Sequence, residues 1–126
     1  MPDTIERKRV IAVSSSALFD LSESHAVFLS EGEKAYKKFQ EANVDKILER
    51  GVAFPFVRRF LNINKRFPQK LPVEVVLLSR NSATTGKRVF RSISHYGLDI
   101  SRAAFMEGKS PYQYIPAFNA SLFLSA

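Results

Sequence analysis

Apolar residues in this chain follow two rhythms. Short unbroken apolar runs stop abruptly at polar, serine-bearing turns. Longer stretches carry apolar residues three and four positions apart. Val10-Ile11-Ala12-Val13 is the first run; it follows a basic lead and ends at Ser14-Ser15-Ser16, a buried strand then a polar turn. Ser22 to Asn43 has helical composition, with Ala26, Phe28, Leu29, Ala35, Tyr36 and Phe39 as its apolar positions and Gly32 as a break or bend. Leu48 to Pro55 is a punctuated connection. A helix follows from Pro55, a residue suited to a first helical turn, with Phe56, Val57, Phe60, Leu61 and Ile63 as apolar positions. Pro68 and Pro72 close it.

Val73 and Val75-Val76-Leu77-Leu78 give the clearest buried strand, ending in Ser79-Arg80-Asn81-Ser82. A helix is expected from Thr84 to Tyr96, with Val89, Phe90 and Ile93 on one face and Gly97 ending it. Ala103 to Met106 predicts a third strand, Gly108 to Pro111 a loop, Tyr112 to Phe118 a short helix and Leu122-Phe123-Leu124 a fourth strand. Strands alternating with helices imply parallel pairing through right-handed crossovers. The expected fold is α/β, a Rossmann-like three-layer sandwich with a mainly parallel sheet of about four strands. Ligands of such sheets bind outside the carboxyl ends of the strands. Here those ends are Ser14–Ser16, Ser79–Ser82, the loop around Lys109, and Ser125-Ala126.

Size and charge narrow the picture. The 126 residues suit a single α/β domain, with residues 1–8 expected as a flexible basic lead. No apolar run approaches the ~20 residues of a membrane span. Met1 to Arg9 lack an apolar signal core, so the expected compartment is cytoplasmic. The absence of cysteine excludes disulfides, a thiol nucleophile and cysteine-ligated zinc. A net charge of +7 favours anionic partners, but the basic residues come in pairs and triplets, so solubility alone accounts for much of it.

The strand ends supply hydroxyls and turn amides, which can hold a phosphate or equally form turns and helix caps. A serine hydrolase finds no support: G-x-S-x-G is absent, and His25 and His95 both fall in predicted helices without an evident carboxylate orienter. No G-x-G-x-x-G or Walker-type loop occurs. Asp20 is a weak candidate metal ligand and an equally good helix cap. Phe54, Phe56, Arg58, Arg59, Phe60, Lys65, Arg66 and Phe67 interleave aromatic and basic residues in a way that suits nucleic acid, but helical spacing reads those phenylalanines first as core.

Four stretches carry a family resemblance: S-S-x-A-L-F-D at Ser14–Asp20, G-V-A-F-P at Gly51–Pro55, L-S-R-N-S at Leu78–Ser82 and H-Y-G-L-D-I at His95–Ile100. From about Val10 to Ala126 the chain resembles the cytosolic type I 5'-nucleotidase family. That resemblance implies a haloacid-dehalogenase-like phosphatase that removes phosphate from nucleoside 5'-monophosphates such as AMP and IMP with Mg²⁺. It also implies an aspartate nucleophile after the first strand, a second aspartate two residues on as acid and base, and a hydroxyl after the second strand. A loop lysine and acidic residues after the fourth strand would complete the site.

The departures from that pattern are equally plain. Ser14 stands at the nucleophile position and Ser16 at the acid–base position. Ser79 keeps the hydroxyl, with Asn81 and Ser82 beside it. Pro111 falls at the lysine position, with Lys109 nearby, and Ser125 and Ala126 stand where the acidic pair belongs. The family is expected to contain two related α/β halves, with the aspartates in F-D-G-D-A-V of the second. This chain is expected to be the first half: a fragment or a split half, inactive alone, with a catalytic second half or another copy as its partner. The expected phosphate or nucleotide contacts are Ser14, Ser15, Ser16, Ser79, Asn81, Ser82 and Lys109, and Mg²⁺ is not expected to bind tightly. The alternatives are a nucleotide-binding pseudo-enzyme and a basic nucleic-acid-binding module.

Overall fold

A computed structural model describes residues 8–80, 86–100, 102–106 and 116–125, apart from the Phe118 side chain. The chain runs β1 (Arg9–Ser14), α1 (Ser15–Leu18), β2 (Phe19–Asp20), α2 (Ser22–Ala42), β3 (Glu49–Arg50), α3 (Phe54–Arg66), β4 (Val73–Ser79), α4 (Lys87–His95), β5 (Arg102–Phe105), a 3-10 turn (Pro116–Phe118) and β6 (Leu122–Leu124). Four strands form one sheet in the order β5-β4-β1-β6, and every pairing in it is parallel. The α/β, Rossmann-like expectation therefore holds.

The register explains how both faces of the sheet are buried. Ile11 pairs with Val75 and Leu122, and Val13 with Leu77 and Leu124. Side chains alternate across a strand, so these residues share a face. Val13, Val75 and Leu77 pack there with Val57 and Leu61 of α3 and Val89 and Ile93 of α4. The opposite face holds Val10, Ala12, Val76 and Leu78 with Met106, Ala120 and Phe123. From β1 the chain steps to β4 and β5 in one direction, then returns to place β6 on the far side of β1. α3 and α4 lie on one face, and Met106 and Ala120, which flank β5 and β6, pack on the other. The switch in direction falls between β1 and β6, where α/β sheets open a crevice.

Some expectations need correction. Ser14–Ser16 is not a turn: Ser14 ends β1 and caps a single helical turn, α1. The Leu48–Pro55 connection contains β3, which pairs antiparallel with β2 in a separate two-stranded sheet. Two-residue strands carry no readable alternation, so neither was visible in the sequence. The third strand begins at Arg102, and Ser79 lies inside β4. On α4, Phe90 is 40% exposed and packs edge-on against Phe105, while Arg88 and Ser92 are buried beside Val89 and Ile93. Helical geometry favours the 88/89/92/93 face, and Arg88 earns its place there by hydrogen bonding. The expected residues 1–7, Thr84 and residues 107–115 lie outside the described residues, as do most of the predicted Tyr112–Phe118 helix positions.

The long α2 lies between the two strands of that small antiparallel sheet. Gly32 has φ +90° and ψ −176°, so the helix is bent sharply there. The bend brings Phe28 and Tyr36 into an edge-to-face contact at 5.8 Å between ring centres. A straight helix would separate them by about 12 Å along its axis. The return from α2 is fastened to α4. Arg88 donates from Nε to Lys46 O at 2.8 Å and from a terminal nitrogen to Gln40 Oε1 at 3.3 Å. The Leu48 amide donates to Ser92 Oγ at 2.9 Å, and the Tyr96 hydroxyl donates to Leu48 O at 2.7 Å.

Candidate functional site

The carboxyl end of β1 is built by local hydrogen bonding. Ser14 is extended, and its Oγ accepts from the Ala17 amide at 3.1 Å, which starts α1. A serine in this role satisfies one of the amides that a helix start leaves without a partner. The same turn places Ser14 Oγ and Ser16 Oγ 3.2 Å apart on the exposed side. Ser15 points the other way, where its hydroxyl meets Ser79 Oγ at 3.1 Å in the interior. The four expected serines therefore gather at one sheet edge but divide into two pairs. Ser14 and Ser16 face outward. Ser15 and Ser79 are buried and tie the end of β1 to the end of β4.

Ser79 and Ser15, two of the expected phosphate contacts, hydrogen-bond to each other in the interior. Sequence could not separate the two roles, because alternation within a three-serine run becomes visible only when the backbone direction is known. Asn81, Ser82 and Lys109 lie outside the described residues.

Asp20 is engaged elsewhere. Its Oδ1 accepts from the Ser22 amide at 2.9 Å at the start of α2. Side-chain and backbone hydrogen bonding from Ser22 holds this exposed carboxyl below its ordinary value, slightly opposed by desolvation. Asp20 acts as a helix-start residue, one of the two roles its position allowed.

These residues do not fit a Mg²⁺ site. A hard divalent ion asks for carboxylate oxygens, and Ser14 and Ser16 offer neutral hydroxyls. Among the described residues no group of three or more His, Asp or Glu lies close enough together to hold a metal ion. His25 and His95 are exposed on α2 and α4, stacked on Phe28 and edge-on to Tyr96 respectively. The interleaved aromatic–basic stretch also divides: Phe54 is fully buried against Phe19 and Tyr96, with the Arg50 and Arg58 guanidinium groups over its ring.

Beside this edge lies a cleft of about 450 Å³, lined by Ala17, Val52, Ala53, Phe56, Phe123, Leu124 and Ser125. It adjoins α1, the start of α3 and β6, on the side of β1 where the strand order reverses. Sequence reasoning identified the strand ends but not this cleft, whose walls come from four separate elements and connections.

The motifs that carry the resemblance have structural reasons. Gly51 donates to Leu18 O and Ala53 to Ala17 O, each at 2.9 Å. A Cβ on Gly51 would lie 2.4 Å from the Ala17 carbonyl oxygen, so only glycine lets this segment close on α1. Ala17, Leu18 and Phe19 are buried beneath it. Gly97, at φ +67°, lets the Leu98 amide reach back to Ile93 O at 3.1 Å and end α4, after which Leu98 and Ile100 enter the core.

A sequence model of the 5'-nucleotidase family matches residues 1–126. The human protein named cytosolic 5'-nucleotidase 1B is 36% identical over 121 residues, covering 92% of this chain and 20% of that relative. The chain thus spans about a fifth of the length of the curated relative it matches. No solved structure matches it significantly. Among the described residues no helix is long and apolar enough to cross a membrane. A match along the whole chain, joined to motifs that this fold explains contact by contact, places the chain in the 5'-nucleotidase family.

Proposed function

We propose that this chain is a non-hydrolysing α/β platform of a cytoplasmic, haloacid-dehalogenase-like 5'-nucleotidase. The complete activity would be Mg²⁺-dependent removal of phosphate from nucleoside 5'-monophosphates such as AMP and IMP. The single observation behind this reading is the Ser14–Ser16 hydroxyl pair at the carboxyl end of β1. A phosphoaspartate route needs a carboxylate nucleophile and a cation to neutralise the phosphoryl group. Serine is neutral at pH 7, and the hydrogen-bond partners of Ser14 Oγ are the Ser16 hydroxyl and the Ala17 amide, neither of them a base. The carboxylates would have to come from a catalytic second half.

The same pair supports a second reading. Two hydroxyls 3.2 Å apart on an exposed edge can donate to phosphate oxygens without turnover. This would make the chain a nucleotide- or phosphate-binding pseudo-enzyme.

The test is phosphate release from AMP and IMP by the purified 126-residue chain, with and without Mg²⁺. No release is expected. Mg²⁺-dependent release that disappears in Ser14→Ala would overturn the platform reading. Saturable AMP binding lost in the Ser14→Ala/Ser16→Ala variant would favour the pseudo-enzyme. Activity gained on adding the remainder of a family member in trans would favour the split platform.

A further inference from the structure

We propose that the slot between α3 and β6 receives one amphipathic helix with an acidic rim, supplied by a partner polypeptide. On the face of the sheet that α3 and α4 cover, β6 presents Leu122 and Leu124, the neighbours of Ile11 and Val13. Leu124 packs partly into the core, while Leu122 is 45% exposed. Leu122 is not part of that core, and both faces of a parallel sheet ordinarily need cover.

The facing side of α3 matches this gap. Val57 and Leu61 point into the core. Phe56, Phe60 and Ile63 form a second stripe about a third of a turn away, and Phe67 follows just after the helix ends. Phe56, Ile63 and Phe67 are exposed, at 47%, 38% and 51%, and Phe56 stacks on Phe60 at 6.2 Å. Within α3 the stripe spans about 10 Å, and its spacing of four and then three residues is that of a helix-packing seam. The cleft is lined by Phe56 at the start of the stripe and by Phe123 and Leu124 of β6, so this end of α3 faces the β6 edge across an apolar slot. Among the described residues Ser125 is the one polar side chain lining that cleft. A small polar ligand would want several groups to orient it.

Charge selects the occupant. Arg59 and Arg66 border the stripe on its outer side, and α3 contains Arg58 and Lys65 but no acidic residue. A second copy of the chain docking by the same face would set these cations against themselves. A helix flanked by glutamates would neutralise them.

The probe is a synthetic amphipathic peptide of about five turns, with leucine at a and d positions and glutamate at e and g. A lysine-flanked counterpart serves as control, and binding to the full chain is read by fluorescence anisotropy. The glutamate peptide is expected to bind at least tenfold more tightly, with the gap narrowing in salt. Phe56→Ser/Ile63→Ser should weaken it at least tenfold, and Leu29→Ser on α2 should not. Arg59→Glu/Arg66→Glu should invert the preference. Circular dichroism of each variant excludes unfolding as the cause. No binding, equal binding of both peptides, or indifference to Phe56 and Ile63 would overturn the proposal. So would a dimer in sedimentation that Phe56→Ser/Ile63→Ser dissolves, since a second copy would then be the occupant.

Discussion

Single residues decide what the end of β1 can do. Ser14 and Ser16 are already oriented as a pair, and aspartate also caps helices well. Ser14→Asp/Ser16→Asp is therefore expected to fold and to create a divalent-ion site. Mg²⁺ at about ten times its dissociation constant should raise the melting temperature of that variant by about 3–6 °C and leave the parent unmoved. An equal rise in both, measured by thermal denaturation, would place the ion elsewhere. Gly51 carries a different constraint. In Gly51→Ala the new methyl would press on backbone at Ala17–Phe19, which has no flexible end to give way. A loss of about 1–3 kcal/mol is expected from the urea midpoint. The sequence displayed G-V-A-F-P plainly; that Gly51 must touch α1 was hidden, because the contact joins segments more than thirty positions apart.

At the scale of elements, α2 depends on its first turn and its bend. The Asp20 carboxyl is held below its ordinary value by Ser22, so the folded state favours the charged form. Its contribution is present above the unfolded carboxylate pKa and is lost as pH falls through the lowered folded value. Acidification should therefore increase hydrogen exchange at the start of α2 in the parent chain. Asp20→Asn should remove that part of the pH dependence; an unchanged profile would show that another group controls the turn. The helix itself was legible from composition, and Gly32 was legible as its interruption. The direction of the bend was not, since it is set by the Phe28–Tyr36 contact and by the Arg88 hydrogen bonds that hold the far end.

Across the whole molecule, stability should follow the sheet order. β1 and β4 each have a strand on both sides, while β6 is a three-residue edge with one open face. Amides of Ile11–Val13 and Val75–Leu77 are expected to exchange only on global unfolding, and those of β6 through local opening. Hydrogen-exchange mass spectrometry checks this order. Equal protection of β6 would mean that its edge is already covered. A bidentate ion pair from Arg102 to Glu74 fastens β5 to β4 at the other side of the sheet, with hydrogen bonds of 2.5 and 3.0 Å. The apolar slot lies at the opposite edge, along β6.

The sequence by itself determined the parallel α/β class and the positions of β1, β4, α2 and α3. Those follow from local hydrophobic periodicity, because a buried strand or an amphipathic helix writes its pattern into consecutive residues. It also placed serine, not aspartate, at the end of β1, since residue identity needs no fold to be read. Tertiary structure alone decided that Ser15 and Ser79 turn inward while Ser14 and Ser16 turn out. It likewise decided that β2 and β3 pair, that Arg88 is buried, and that α3 and β6 leave a slot between them. Each of these depends on which distant backbone a side chain meets, and no periodicity within one segment records that.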